Sequence, residues 1–220
     1  MKIPQPVLAH YKKVDPAMHD LILAGKIESL EQTASPEFFF QKLCRDIMGQ
    51  QLSLKAAETI TGRFEALFPL ADDNMPRGLY RHNQEATHQM TPEFLLTLSD
   101  EQIRGAGLSR AKMNSVRDLA EKLVRNELDL LSIPNMSDEE VILHLIQVKG
   151  IGPWTAEMFL IFTLGREDVF SWGDLGLRRG IEKNFGEYDQ EKLTPRIESW
   201  SPYKSYASLA LWRSLDTKTP

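Results

Sequence analysis

Apolar side chains recur along most of this chain at helical spacing. Val141, Ile142, Leu145, Ile146 and Val148 line one face of a segment that opens with Ser137-Asp138-Glu139-Glu140, where the serine and the glutamate three residues on form a capping box. The spacing predicts a helix ending near Val148. A second helix starts at Pro153, whose missing N–H costs nothing in a first turn, and Ala156, Phe159, Leu160 and Thr163 continue its inner face until Gly165 stops it. Elsewhere Asp15-Pro16, Ser35-Pro36, Ser53, Thr91-Pro92, Ser99 with Gln102, and Ser109 read as helix starts, and Gly25, Gly62, Gly78, Gly165 and Gly186 as breaks. Strand-like alternation is almost missing, so the predicted fold class is all-α. The stretch from Leu70 to Met90, rich in Asp, Asn, Pro and Gly, carries little periodicity and reads as an irregular surface excursion.

Val148-Lys149-Gly150-Ile151-Gly152-Pro153-Trp154 joins the two helices. Gly150 and Gly152 permit a tight turn and close approach by another molecule, and amides at the start of the second helix attract a phosphate. The same glycines would also serve simply to turn the chain between packed helices. A dinucleotide site is excluded, because no strand precedes the motif and Thr155 stands where G-x-G-x-x-G needs its third glycine. Further on, Asp174 precedes Leu175-Gly176-Leu177-Arg178-Arg179 as an N-cap, and a negative charge is electrostatically favoured at that end of a helix. Asp168 and Glu157 are neighbouring carboxylates read as structural.

Composition narrows the classes. The chain has 220 residues, 42% of them hydrophobic, and a net charge of −5. It contains no long uncharged apolar run and no basic leader before an apolar stretch, so an intracellular protein is expected. The single Cys44 excludes an internal disulfide and any cysteine-held zinc or iron–sulfur centre of the usual ligand count. The acidic total argues against a protein coated in basic residues. From Ile103 to Arg125, however, six cations (Arg104, Arg110, Lys112, Arg117, Lys122, Arg125) face two anions, which offers a basic face for phosphates. Two connections add candidates: Gly49-Gln50-Gln51-Leu52-Ser53, with long polar side chains at its tip, and Gly105-Ala106-Gly107-Leu108-Ser109, whose amides could meet a second phosphate.

The strings VKGIGPWTAEMFLIF and DVFSWGDLGLRRG, with GQQLS at Gly49 to Ser53, GLSRAK at Gly107 to Lys112 and SPYKSYASLALW at Ser201 to Trp212, resemble the helix-hairpin-helix DNA glycosylases, specifically their 3-methyladenine branch. The resemblance implies a central helical lobe over 39–166, carrying the hairpin motif at about 138–164, and a second lobe from 1–38 with 167–220. It implies an active cleft between them; some members of the family carry an added N-terminal β-domain, for which this sequence is expected to offer no room. It places the catalytic aspartate at Asp174 and a base-flipping wedge at Gln51, with Leu52 alongside. It makes Gly105, Gly107, Lys149, Gly150, Ile151 and Gly152 DNA contacts. Trp154 and Trp212 become walls for the extruded base, with Met158 beside them at a position where the family has tyrosine, and Trp172 and Tyr206 as weaker candidates.

Relatives that also cut the backbone carry a lysine two residues past the second hairpin glycine. Here that residue is Trp154, so the resemblance implies a monofunctional hydrolase that removes 3-methyladenine or 7-methylguanine from double-stranded DNA and leaves an abasic site. It implies no required cofactor beyond a structural Na or K ion on the carbonyls of Val148 and Ile151, and a monomer. Two other readings stay open on the residues alone: a noncatalytic helix-hairpin-helix DNA-binding module, in which Asp174 is only a cap, and a helical protein-interaction scaffold.

Overall fold

The computed structural model describes residues 3–70, 88–186 and 188–216. Among them are twelve α-helices, two short 3-10 turns and, as the only extended pairing, an isolated bridge between Leu70 and His88. The fold is all-α. The predicted excursion after Leu70 falls largely on 71–87, outside the described residues, as does Gly78.

The chain forms two compact units, residues 1–31 with 160–220, and residues 32–159; the boundaries expected from sequence were 39 and 166. The first contains α1 (Gln5–Val14), α2 (Pro16–Ala24), α10 (Leu175–Phe185), α11 (Gln190–Ser199) and α12 (Lys204–Asp216). Its core is built from Val7, Tyr11, Met18, Ile22, Leu177, Ile181, Ile197, Trp200, Tyr206 and Leu211. Asp15 ties this unit together. It caps α2 by accepting from Met18 N–H, takes Arg196 through both oxygens at 2.6 and 2.9 Å, and accepts from the Trp200 indole at 2.8 Å. Burial opposes ionisation of Asp15, but these donors outweigh it and hold the carboxyl below its ordinary range.

The second unit contains α3 (Phe39–Gly49), α4 (Leu54–Glu65), α5 (Pro92–Thr97), α6 (Asp100–Gly105), α7 (Arg110–Val124) and α8 (Asp138–Leu145). Helix α9 (Pro153–Phe162) starts in it and runs on past residue 159. Phe39 and Phe159 meet edge to face at 5.2 Å, and Leu43, Ile47, Val116 and Leu119 are fully buried. Cys44 is buried as a packing residue, and desolvation pushes its thiol well above the usual range.

Local chemistry sets the boundaries. Ser53, Thr91, Ser99, Ser109, Ser137 and Asp174 each accept an amide two or three residues into their helix, and Ser99–Gln102 and Ser137–Glu140 complete capping boxes. Gly62 departs from expectation. It lies inside α4, where a side chain would meet nothing within 4 Å, and the apolar anchor Phe64 carries the helix past it. Among the described residues, no helix is long and apolar enough to cross a membrane.

Candidate active site and nucleic-acid interface

The hairpin is built on α7. Gly150 has φ +83°, and a Cβ there would overlap the Ser115 hydroxyl, so only glycine allows the loop to lie against that helix. One turn further along α7, Asp118 accepts the Lys149 amide at 2.9 Å and pairs with the ammonium groups of Lys149 at 3.3 Å and Lys122 at 3.5 Å. Asp118 is buried, which disfavours its charge, yet the Lys149 amide and the two lysines prevail and lower its pKa. The Lys149 side chain is mostly exposed. Ile151 is buried and its amide closes a turn on the Val148 carbonyl at 3.1 Å, so Ile151 anchors the loop from inside. The amides of Gly150 and Gly152 have no acceptor among the described residues, and a Cβ on Gly152 would meet nothing within 4 Å. This surface can accept an anion at close range.

The loop after α3 docks on the same hairpin. Gln50 Nε2 donates to the Gly150 carbonyl at 3.0 Å and to Thr155 Oγ1 at 3.2 Å. Gln51 is exposed and has φ +58°, a left-handed conformation rare for a residue with a side chain. Leu52 is 38% exposed beside it. The other glycine loop uses one of its amides within the turn. Gly105 ends α6, and the Gly107 amide closes a turn on the Arg104 carbonyl at 2.9 Å, so that amide is spent internally. Gly107 has φ +107° and lies against Ile60.

The basic stretch on α6 and α7 also needs correction. Arg117 binds the Leu98 carbonyl and Asp100, Lys122 pairs with Asp118, Arg125 with Glu121, and Lys112 donates to two backbone carbonyls. Only Arg104 and Arg110 of the six have no side-chain hydrogen bond or ion pair among the described residues, and they line a groove together with Asp100, Glu101, Gly105 and Met113. The summed charge overstated the phosphate-facing surface because most of these cations are matched within the protein.

The carboxylate site lies in the other unit. Asp174 is 9% exposed at the N-terminus of α10, and its Oδ1 accepts from Leu177 N–H at 2.6 Å and from the Trp212 indole N–H at 2.8 Å. Gly176 makes room for this arrangement. A Cβ there would stand 2.8 Å from Trp212 Cδ1 and 2.9 Å from Asp174 Oδ1. Trp212 in turn meets the ring of Phe162 at 5.6 Å with a 31° tilt, and Phe162 is 42% exposed. Sequence reasoning missed Phe162. Its signal was its position, four residues past Met158 and eight past Trp154, which puts all three on one face of α9.

The remaining candidates separate clearly. Trp154 is 45% exposed at the start of α9, and Met158 is half-buried one turn on. Trp172 is half-buried and packs against Phe170 at 5.1 Å, on the core of its own unit. Tyr206 has no exposed surface, and its hydroxyl donates to Glu167 at 2.6 Å, so it is a core residue and not an open wall. Asp168 accepts from the Lys204 amide and from Ser201 Oγ–H, and so caps α12 as expected.

These features match a known family, HhH-GPD superfamily base excision DNA repair protein, over residues 44–202. The chain belongs to that superfamily. Among HhH-GPD relatives, YfjP of Bacillus subtilis is 34% identical over 173 residues, 77% of this chain; the chain spans 56% of that relative's length. DNA-3-methyladenine glycosylase 1 of Schizosaccharomyces pombe is 30% identical over 186 residues, covering 80% of this chain and 72% of the relative. In structure, a DNA-3-methyladenine glycosidase from Bacillus halodurans superposes with a TM-score of 0.79 at 34% identity, over 99% of this chain and 92% of its own.

Proposed function

We propose that this protein is a monofunctional DNA glycosylase that extrudes alkylated purines of the 3-methyladenine and 7-methylguanine type from double-stranded DNA and hydrolyses their N-glycosidic bonds. The observation that carries the reading is Asp174, a buried carboxylate held by the Leu177 amide and the Trp212 indole in a chain of the base excision superfamily. The DNA-3-methyladenine glycosylases among its relatives support the same substrate class.

The chemistry follows from the bond. An alkylated purine carries positive charge and leaves as a neutral base, taking the pair of electrons of the C1′–N bond. The barrier is dominated by positive charge growing on the deoxyribose. A preorganised carboxylate beside the sugar stabilises that charge, and it orients the water whose oxygen attaches to C1′ and accepts that water's proton. Two fixed donors on Oδ1 keep Asp174 from reorganising during the reaction. With Trp154 in the place of a Schiff-base lysine, the product is an abasic site with the backbone intact. The meeting rings of Phe162 and Trp212 supply π surface, as does the exposed indole of Trp154, and such surface favours an electron-poor ring. Gln51 fills the vacated stack, and the amides of Gly150 and Gly152 grip a phosphate.

Neutral carbonyl oxygens are the donor type a monovalent Na or K ion takes. Val148 gives one hydrogen-bonded carbonyl with a second lone pair to spare, so Val148 and Ile151 could hold such an ion, which would add positive charge toward a phosphate. The protein acts as a monomer in this reading, inside the cell.

The test is base release. Purified protein should free methylated purine from methylated duplex without strand cleavage, and Asp174→Asn should bind the duplex but turn over far more slowly. Unchanged turnover in that variant would overturn the role of Asp174, and binding without release of any lesion would favour the noncatalytic module.

A further inference from the structure

Helix α3 ends without the usual left-handed glycine. Gly49 is its last residue, Gln50 adopts φ −53° and ψ 132°, and the left-handed position falls instead on Gln51. The last carbonyls of such a helix lack partners from the next turn. Lys112, in the first turn of α7, supplies them: its Nζ donates to the Met48 carbonyl at 2.8 Å and to the Gln50 carbonyl at 2.7 Å.

This use of a lysine is unlike that of its neighbours. Arg117, Lys122 and Arg125 all have carboxylate partners, whereas Lys112 binds only neutral carbonyls among the described residues. Burial disfavours its charge and lowers its pKa. The carbonyls sit at the negative end of α3, which favours a cation there. Gln50 then passes the constraint on, since its side-chain amide binds Gly150 and Thr155 in the hairpin. Further along α7, the hairpin lies close against Ser115 at Gly150, and Asp118 accepts the Lys149 amide.

We infer that Lys112 is a positioning residue: it fixes the loop Gly49–Ser53 on α7 so that Gln51 is held in its left-handed conformation, ready to enter the space left by an extruded base. Lys112 itself touches no substrate. The inference rests on the reading of Gln51 as the wedge given above. The strain at Gln51 persists because the residue before it is clamped on both sides, by Lys112 at its carbonyl and by the hairpin at its side chain.

The experiment uses the full chain and a duplex with a tetrahydrofuran abasic analogue flanked by 2-aminopurine, whose fluorescence rises when stacking is broken. Gln51→Ala and Lys112→Met are each expected to lose about half or more of the wild-type fluorescence gain at saturation, and Lys112→Arg, which keeps two donors, to restore most of it. Single-turnover base release should fall about tenfold in Lys112→Met, with the dissociation constant for the analogue changing much less. A wild-type gain in Lys112→Met, with Gln51→Ala impaired, overturns the positioning role alone. A wild-type gain in Gln51→Ala overturns the wedge reading on which it rests. Should Lys112→Met fail to fold, Lys112→Gln, with a shorter reach, must give a smaller gain than Lys112→Arg; equal gains in those two overturn the inference.

Discussion

The indole N–H of Trp212 donates to Asp174 Oδ1 at 2.8 Å, across 38 residues of sequence, and the same oxygen accepts the Leu177 amide. One oxygen of the carboxylate is thereby fixed by two donors. A hydrogen bond to a charged group is worth about 1.5–3 kcal/mol. In Trp212→Phe, base release should fall roughly 10–100-fold while the ring surface is largely kept. The measurement is the single-turnover rate on a methylated duplex beside the thermal midpoint. A rate loss no larger than that of a distant surface substitution would remove Trp212 from the role.

Gly176 stands where any side chain would strike both partners of that bond. Its place in α10 is ordinary helix, so alanine there should be neutral or favourable to the helix itself. Gly176→Ala is expected to abolish most base release while the circular dichroism spectrum stays helical. Full activity would mean that the Asp174–Trp212 pair yields without consequence.

Gly150→Ala should weaken DNA binding far more than Gly152→Ala. The first combines φ +83° with overlap on Ser115, while the second adds a methyl group into open space on the protein itself. If a phosphate backbone approaches there, Gly152→Ala loses affinity only through that approach, and its melting temperature is unchanged. Duplex affinity and thermal melts of both variants check the pair.

Asp15 should set acid stability for the unit formed by residues 1–31 and 160–220. Its folded pKa lies below the ordinary value of 3.8, so it contributes stability that is fully present above that value and is lost as pH falls below it. Asp15→Ala leaves Arg196 and the Trp200 indole without their acceptor and should cost about 3–5 kcal/mol at neutral pH. Urea unfolding of the variant against wild type, at neutral pH and near pH 3, should show a difference that shrinks in acid.

The salt dependence of DNA binding should be shallow. Among the described residues the Arg104 and Arg110 side chains have no ion pair, whereas Arg117, Lys122 and Arg125 are paired with carboxylates. Arg104→Ala and Arg110→Ala should each lower the slope of log affinity against log salt by about one, and Arg125→Ala should leave it nearly unchanged.

Sequence by itself determined what is decided within a turn or two of chain. The caps at Ser53, Ser99, Ser109, Ser137 and Asp174 and the helices they open are set by partners three residues away, and the glycines of the hairpin announce a turn, although the contact that demands glycine at Gly150 comes from Ser115 on α7. Resemblance of the motifs extended this to the superfamily. Only tertiary structure decided which polar groups find one another over long separations. It turned Lys112 from a phosphate-facing cation into a clamp on Met48 and Gln50, sent Tyr206 into the core, set Phe162 against Trp212 and gave Asp174 its second donor. Charge counted along a chain cannot distinguish these fates, because a cation that meets a buried carbonyl or carboxylate is spent and one that meets only solvent is available, and packing of distant helices makes that choice.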